Sequence, residues 1–359
     1  MHDLRFSSYS YYPALRTRRA EMRGLSELDS NRKRKVLPLI TLGEWPRATS
    51  FEQSLEAAVE AMEGLPFIAD MTTDLSRLPE ERQQLIDCTK GFQAWRQFTD
   101  ECALAIPTVI ITAGSKTRDV VQQAVKIEET KGKVAFRIRD FPAETPLVIA
   151  ALSALDNPQN AIIFIDCLYI RGALAAHVTA TIATLNSIRR EFPESIICIL
   201  STSFPASTMA YLDHGRTGSI EILERDLFAR IGGRSVAIYG DHGSVHSVVY
   251  DDVATRRWSP RIDFPTFETW HMERRPSDDP QAGYIDAAKA IVQMDPLLGT
   301  RNIWGEQMII DAASGNPYGK APASWISVRV NIHLSRQIDM ATDLAEGNNG
   351  ELDDFDGNG

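Results

Sequence analysis

The chain has 359 residues, a mass of 40.0 kDa and a formal net charge of −10, with 43% hydrophobic and 24% charged residues. These values suit one large α/β domain with additions and exclude collagen-like and wholly disordered classes. No apolar run reaches the roughly 18 residues of a membrane span, and MHDLRFSSYSYY lacks the apolar centre of a signal peptide, so a cytoplasmic protein with no membrane role is expected.

Residues 1–35 hold nine Arg and Lys against four Asp and Glu. They read as a basic N-terminal segment, mainly an arginine-rich helix, packing against the body of the domain. Short and nearly continuous apolar runs then recur at Val36–Leu42, Phe67–Asp70, Ile106–Thr112, Val134–Arg139, Ile162–Asp166, Ile196–Ser201, Val236–Tyr239 and Ile262–Thr266. Runs of this kind mark strands covered on both faces, as in a parallel sheet. Helical patterns lie between them. Phe51, Leu55, Ala58, Val59 and Met62 make one apolar stripe with acids opposite. Similar stripes cover Leu78–Cys102, Thr117–Glu128, Glu144–Leu155, Gly172–Phe192 and Glu221–Ile231.

Successive strands start 26 to 40 residues apart, near the ~30 or more of a β-helix-β unit. Eight such units fill 36–294, close to the roughly 250 residues of a (β/α)8 barrel. The expected fold is therefore α/β, a TIM-like (β/α)8 barrel. An open doubly wound sheet is the alternative, because alternation does not establish closure. Residues 295–344 form a C-terminal extension, with Trp304–Ala313 helical and Trp325–Leu334 a further strand or docking segment. Residues 345–359 are acidic, polar and glycine-rich, and are expected to be disordered.

In a barrel, inward side chains at the strand C-termini line the mouth. On Val134–Arg139, Phe136 and Ile138 share one face and Arg137 and Arg139 the other. The helix-covered face must be apolar, so both arginines should point inward, where they need counter-charges. Asp70 and Asp166 end two further strands, Ser201 and Ser203 a third, and Asp241 and His242 a fourth. The mouth candidates are thus Asp70, Arg137, Arg139, Asp166, Ser201, Asp241 and His242. They form either a charge-paired plug that completes the core or a mouth for a phosphorylated or nucleotide-like anion, in an enzyme or a sensor.

Other signals are weaker. His242 and His246 have a helical metal spacing, but glycines and a Val-Val run place them in turn and strand, so no metal is expected. Gly114-Ser115-Lys116-Thr117 follows a strand yet lacks the leading glycine of a phosphate loop. No hydrolase elbow, zinc-protease helix or Rossmann glycine triplet occurs, so catalytic residues stay unassigned and no cofactor is expected. Cys88, Cys102, Cys167 and Cys198 fit reduced thiols. The acidic body disfavours nucleic acid, whose binding depends on cations displacing counterions. Trp258, flanked by Arg256 and Arg257, is the best candidate for an exposed partner anchor.

Several blocks, in order, resemble the Beta protein family: YYPALRTRRAEMRGLSEL (11–28) with VLPLITL (36–42), YGDHGSVHSVV (239–249), HMERR (271–275), NIWGEQMI (302–309) and WISVRVNIHL (325–334). The resemblance runs from Tyr12 to Leu334. It implies a role in bacterial or prophage-borne anti-phage defence, in which the Beta protein restrains a toxic partner, called Gop, from the same cassette. A toxic or effector protein encoded nearby is therefore the expected partner. The resemblance implies no reaction and no catalytic residues. The family pattern often ends in paired histidines, whereas this chain has Asn331-Ile332-His333, which weakens any argument for a metal there.

Overall fold

Eight parallel strands close on themselves in the computed structural model, which describes residues 4–45, 50–249 and 258–346. They are β1 (Tyr11–Arg16), β2 (Leu39–Leu42), β3 (Phe67–Met71), β4 (Ala105–Val109), β5 (Val134–Ile138), β6 (Ala161–Tyr169), β7 (Ile196–Thr202) and, after the outlying β8 (Thr217–Glu221), β9 (Ile238–Asp241). Closure comes from β9, which pairs with β7 on one side and β1 on the other. The fold is a (β/α)8 TIM-like barrel, and the open sheet is excluded. β8 instead joins β10 (Arg261–Pro265) and β11 (Thr269–Arg274) in a small antiparallel sheet.

Alternation sorts the strand side chains into two cores. Ile40, Phe67, Val134, Phe136, Ile163 and Ile197 face the helices. Tyr12, Leu39, Ile68, Ile106, Ile162, Phe164, Cys198 and Leu200 fill the barrel interior. Phe6, on a short turn of helix before β1, is buried with the interior set and accepts the Tyr12 hydroxyl at 2.6 Å on its carbonyl. The lower barrel is therefore a packed apolar core, and polar side chains enter only toward the strand C-termini.

Four expectations need correction. The barrel starts at Tyr11 rather than Val36: Tyr11–Arg16 is a fully buried strand, not part of a basic helix. Pro13 and the nearby arginines hide it, since proline is uncommon inside a strand and the charges suggest a solvated face. Ile262–Thr266 is a strand, but it lies in the small sheet, where it forms a hairpin with β11. Periodicity identifies a strand without identifying its neighbours. Leu78–Cys102 is not one helix. Lys90, Gly91 and Phe92 take left-handed φ values of 52°, 64° and 54° and separate a 3-10 segment (Glu80–Ile86) from a helix (Gln93–Asp100).

The largest departure is Trp325–Leu334. It belongs to a 25-residue helix, Pro322–Glu346, not to a strand. Apolar and polar residues alternate there, yet both kinds are buried, because the helix is covered on all sides. One side packs along the helix Arg19–Ser26 and β1, and Arg225 of the helix Glu224–Arg230 reaches Gln337 Oε1 at 2.9 Å. The terminal helix thereby occupies the eighth helical position of the barrel. Its other side carries the small sheet and the helices Pro280–Met294 and Trp304–Ala313. Four of its buried polar side chains find partners on neighbouring elements: Arg329 with Asp263 (2.6 Å), Arg336 with Glu306 (2.9 Å), His333 with Asp241 (2.8 Å) and Asn331 with the Gly24 carbonyl (3.0 Å). Beyond Glu346 the expected acidic tail lies outside the described residues.

Gly24 marks where the two helices come closest. A Cβ there would sit 2.7 Å from Val330 Cγ1 and 2.9 Å from the Ser327 carbonyl oxygen. Gly24→Ala should therefore destabilise the protein by about 1–3 kcal/mol through overpacking, read as a lower urea midpoint. A midpoint at or above the wild-type value would show that the contact is not tight.

Candidate functional site

Arg137 sits at the centre of the mouth. Its Nη1 donates to Asp70 Oδ2 (2.6 Å) and Thr41 Oγ1 (3.0 Å), and its Nη2 and Nε donate to Asp166 Oδ2 (2.7 and 3.0 Å). Arg139, two residues on and on the same face, donates through Nη2 to Asp70 Oδ2 at 2.7 Å. Asp70 Oδ1 accepts the Thr108 hydroxyl at 2.9 Å. Asp166 Oδ1 accepts from the Leu168 amide (2.9 Å) and faces His242 Nε2 (2.9 Å). A carboxylate only accepts, so Nε2 carries the hydrogen, and among the described residues Nδ1 has no partner.

The inward turn expected for both arginines is found, and each gains counter-charge. Burial alone would raise the carboxyls of Asp70 and Asp166. The arginines outweigh it at Asp70, and His242 with Arg137 outweighs it at Asp166, so both lie below the usual range. The two guanidiniums differ. Burial pulls Arg137 down, but Asp166 and Asp70 together raise it. Arg139 is lowered by burial and by Arg137, with Asp70 shared between the two.

Of the remaining candidates, His242 belongs to the mouth and two do not. Asp241 follows the outward Tyr239 by two residues and lies beneath the helices, where it takes hydrogen bonds from Tyr11 (2.7 Å), Tyr239 (3.0 Å), His333 (2.8 Å) and the Gly243 amide (2.8 Å). Burial opposes ionisation there, but His333 and these donors hold it down at about 2. Ser201 shares the outward parity of Ile197 and Ile199 and is likewise buried outside the interior. Next to it, Ser203 donates its amide and hydroxyl to Glu224, at 2.6 Å each. Burial, opposed by these bonds, pushes the Glu224 carboxyl up to about 7.

Sequence reasoning missed Thr41, Thr108 and Arg16. Thr41 was legible, because Ile40 and Leu42 occupy the outward positions around it. Arg16 was not, because its strand went unrecognised. It lines the mouth, donates to the His246 carbonyl at 2.8 Å and lies over Trp45 at 5.8 Å from the ring centroid.

Two cavities meet at this end. One of about 280 Å3 stands over the charged floor, lined by Arg16, Thr41, Trp45, Arg137, Arg139 and His242 among others. A wider groove of about 1250 Å3 runs between the helices Phe141–Leu152 and Leu174–Glu191, with Phe141, Pro146, Ile149, Ala180 and Ala183 in its walls. Arg139, Leu168, Ser247 and Val248 border both. Leu168 is held at φ 54° beside a β-bulge in β6, a left-handed conformation that costs a leucine about 1–3 kcal/mol. Its amide thereby meets Asp166.

Elsewhere, Trp258 is 43% exposed and stacks on Tyr284 at 6.1 Å, which stacks on Trp325 at 4.8 Å. Arg256 and Arg257 lie outside the described residues. Among the described residues no helix is long and apolar enough to cross a membrane, and no group of three or more His, Cys, Asp or Glu converges as metal ligands would.

Comparison with known proteins gives two matches. The family described as Beta protein matches residues 11–339. Protein beta of Enterobacteria phage P4 is 45% identical over 344 residues, covering 95% of this chain and 96% of that protein.

Two outcomes follow from the electrostatics. Asp166→Asn should destabilise the fold by about 3–5 kcal/mol, because it leaves Arg137 short of a buried partner, measured by urea unfolding. A loss below 1 kcal/mol would contradict the pairing. Glu224 has a folded pKa above its unfolded value, so its contribution is complete at low pH and lost as pH rises toward 7. The loss is about 3 kcal/mol. Asp70, Asp166 and Asp241 have depressed values, so theirs is lost only on acidification, below about pH 4. Between pH 5 and 7 the wild type should therefore lose stability that Glu224→Gln retains. Parallel pH profiles would refute this assignment.

Proposed function

Because the chain belongs to the Beta protein family, we propose that it is the restraining component of a bacterial or prophage anti-phage defence system, a cytoplasmic barrel that binds a toxic partner protein encoded nearby. The observation that carries this reading is the groove of about 1250 Å3 beside the mouth. It exceeds the roughly 300–1,000 Å3 of most small-molecule pockets. Its walls are mainly apolar, with Ala180 and Ala183 between Pro146, Ile149 and Phe141, and Arg190 and Glu191 also line it. A groove with this lining suits the apolar face of a partner helix, anchored at residues three or four apart. Its walls are two barrel helices fixed to the packed core, so the surface is formed before the partner arrives and binding loses little ordering entropy.

Coexpression with the toxic protein encoded beside it, followed by affinity capture, tests the reading. The wild type should rescue growth and retain the partner. Ala180 and Ala183 are exposed, so Ala183→Glu or Ala180→Glu should leave folding intact. Either should weaken capture at least tenfold and abolish rescue, by placing a charge in the apolar groove. Full rescue by both variants would move the interface elsewhere. No rescue and no capture by the wild type would end the proposal.

A further inference from the structure

The charged floor is not fully satisfied by its own members. Arg137 spends all three of its guanidinium nitrogens on Asp70, Asp166 and Thr41. Arg139 spends only Nη2, on an Asp70 oxygen that Arg137 also uses. Among the described residues its Nε and Nη1 hydrogens have no protein acceptor, and its side chain is 24% exposed to the cavity. His242 repeats the situation from the far side. Its Nε2 is committed to Asp166, it is 97% buried, and among the described residues Nδ1 has no protein partner while the ring lines the same cavity. Two strands, β6 and β7, separate β5 from β9 in the sheet order. The two unfilled groups therefore approach the cavity from different directions.

From this we infer that the mouth binds a small phosphate monoester, held by Arg139 and His242. A guanidinium with two free N–H groups matches two oxygens of one phosphate side by side. The third terminal oxygen can meet Nδ1, which donates when the imidazole is protonated and accepts from a protonated phosphate oxygen when it is neutral. A planar carboxylate engaged by Arg139 has no third oxygen to offer. The cavity of about 280 Å3 holds the phosphate with little to spare, and the organic remainder leaves past Leu168 and Val248 into the groove. Asp70 and Asp166 do not repel the ligand, because each is turned toward Arg137 and capped by further donors. The inference goes beyond partner restraint and is tested on the isolated chain, so either can fail alone.

The test is isothermal titration of the full-length protein with phenyl phosphate, sulfate and acetate. Phenyl phosphate and sulfate should bind, acetate at least tenfold more weakly. Arg139→Gln should weaken phenyl phosphate about ten- to hundredfold, the worth of a hydrogen bond to a charged group. Asp70 keeps Arg137 in that variant, so the fold should persist, checked by circular dichroism. Arg139→Lys, which keeps the charge without the fork, is the second variant and should lose affinity to a smaller degree. His242→Gln, which can still offer a donor to Asp166 but has no second ring nitrogen, should weaken phenyl phosphate about tenfold. No binding of phenyl phosphate by the wild type up to about 10 mM, a concentration worth under 3 kcal/mol of affinity, would overturn the inference. So would unchanged affinity in both Arg139 variants, and unchanged affinity in His242→Gln would remove His242 from the site.

Discussion

A guanidinium on the axis of a protein barrel is tolerable only when its charge is balanced and each of its nitrogens finds an acceptor there, since taking it out of water costs several kcal/mol. Arg137 meets that condition by drawing on three other strands at once: Thr41 from β2, Asp70 from β3 and Asp166 from β6. The positions of those side chains are consequently coupled. Asp166 cannot rotate away without stranding Arg137, and with Asp166 fixed, His242 has one orientation. The floor of the mouth thus behaves as a single rigid unit. Arg139 and His242, each with a ring or guanidinium nitrogen that has no partner among the described residues, stand at its edge.

The polar groups on the other side of the strands follow the same rule with a different purpose. Asp241 is one residue from His242, yet alternation turns it outward to gather Tyr11, Tyr239 and His333. Those contacts tie together the two strands that close the barrel and the terminal helix that covers the closure. Asp263 with Arg329 and Glu306 with Arg336 extend the arrangement outward to the small sheet and its helices. The terminal helix carries two buried cations two turns apart on one face, and each finds its acid on a different neighbour. This fixes the helix in register where apolar contacts alone would let it slide.

Much of the barrel could be read from the chain because parallel strands under helices are apolar on both faces, and Val134–Arg139 or Ile162–Asp166 leave no other interpretation. The inward turn of Arg137 and Arg139 came from the same fact. What resisted reading was anything defined by distant partners. Tyr11–Arg16 holds a proline and runs into a cluster of arginines, so it does not announce itself as a strand. Ile262–Thr266 has the right apolar character but belongs to a different sheet. Trp325–Leu334 alternates like a strand only because its polar residues are as buried as its apolar ones. Ser201 and Asp241 sit at strand ends, as expected, but one residue out of phase with the interior. An end position shows where along a strand a side chain lies, and parity shows which way it looks.

The distance between closing partners has a further consequence for how this chain is made. Tyr11 and Asp241 meet across 230 residues, so the first barrel strand has no permanent neighbour on one edge until most of the barrel has been synthesised. The helix that seals the join ends at Glu346 and comes later still. Contacts this remote in sequence form slowly, and unpaired strand edges invite association with other chains in the interval. The early strand carries Pro13, which cannot donate to a stranger's backbone, and its far end is crowded with arginines. A nascent edge is thereby kept unattractive until its own partner is synthesised.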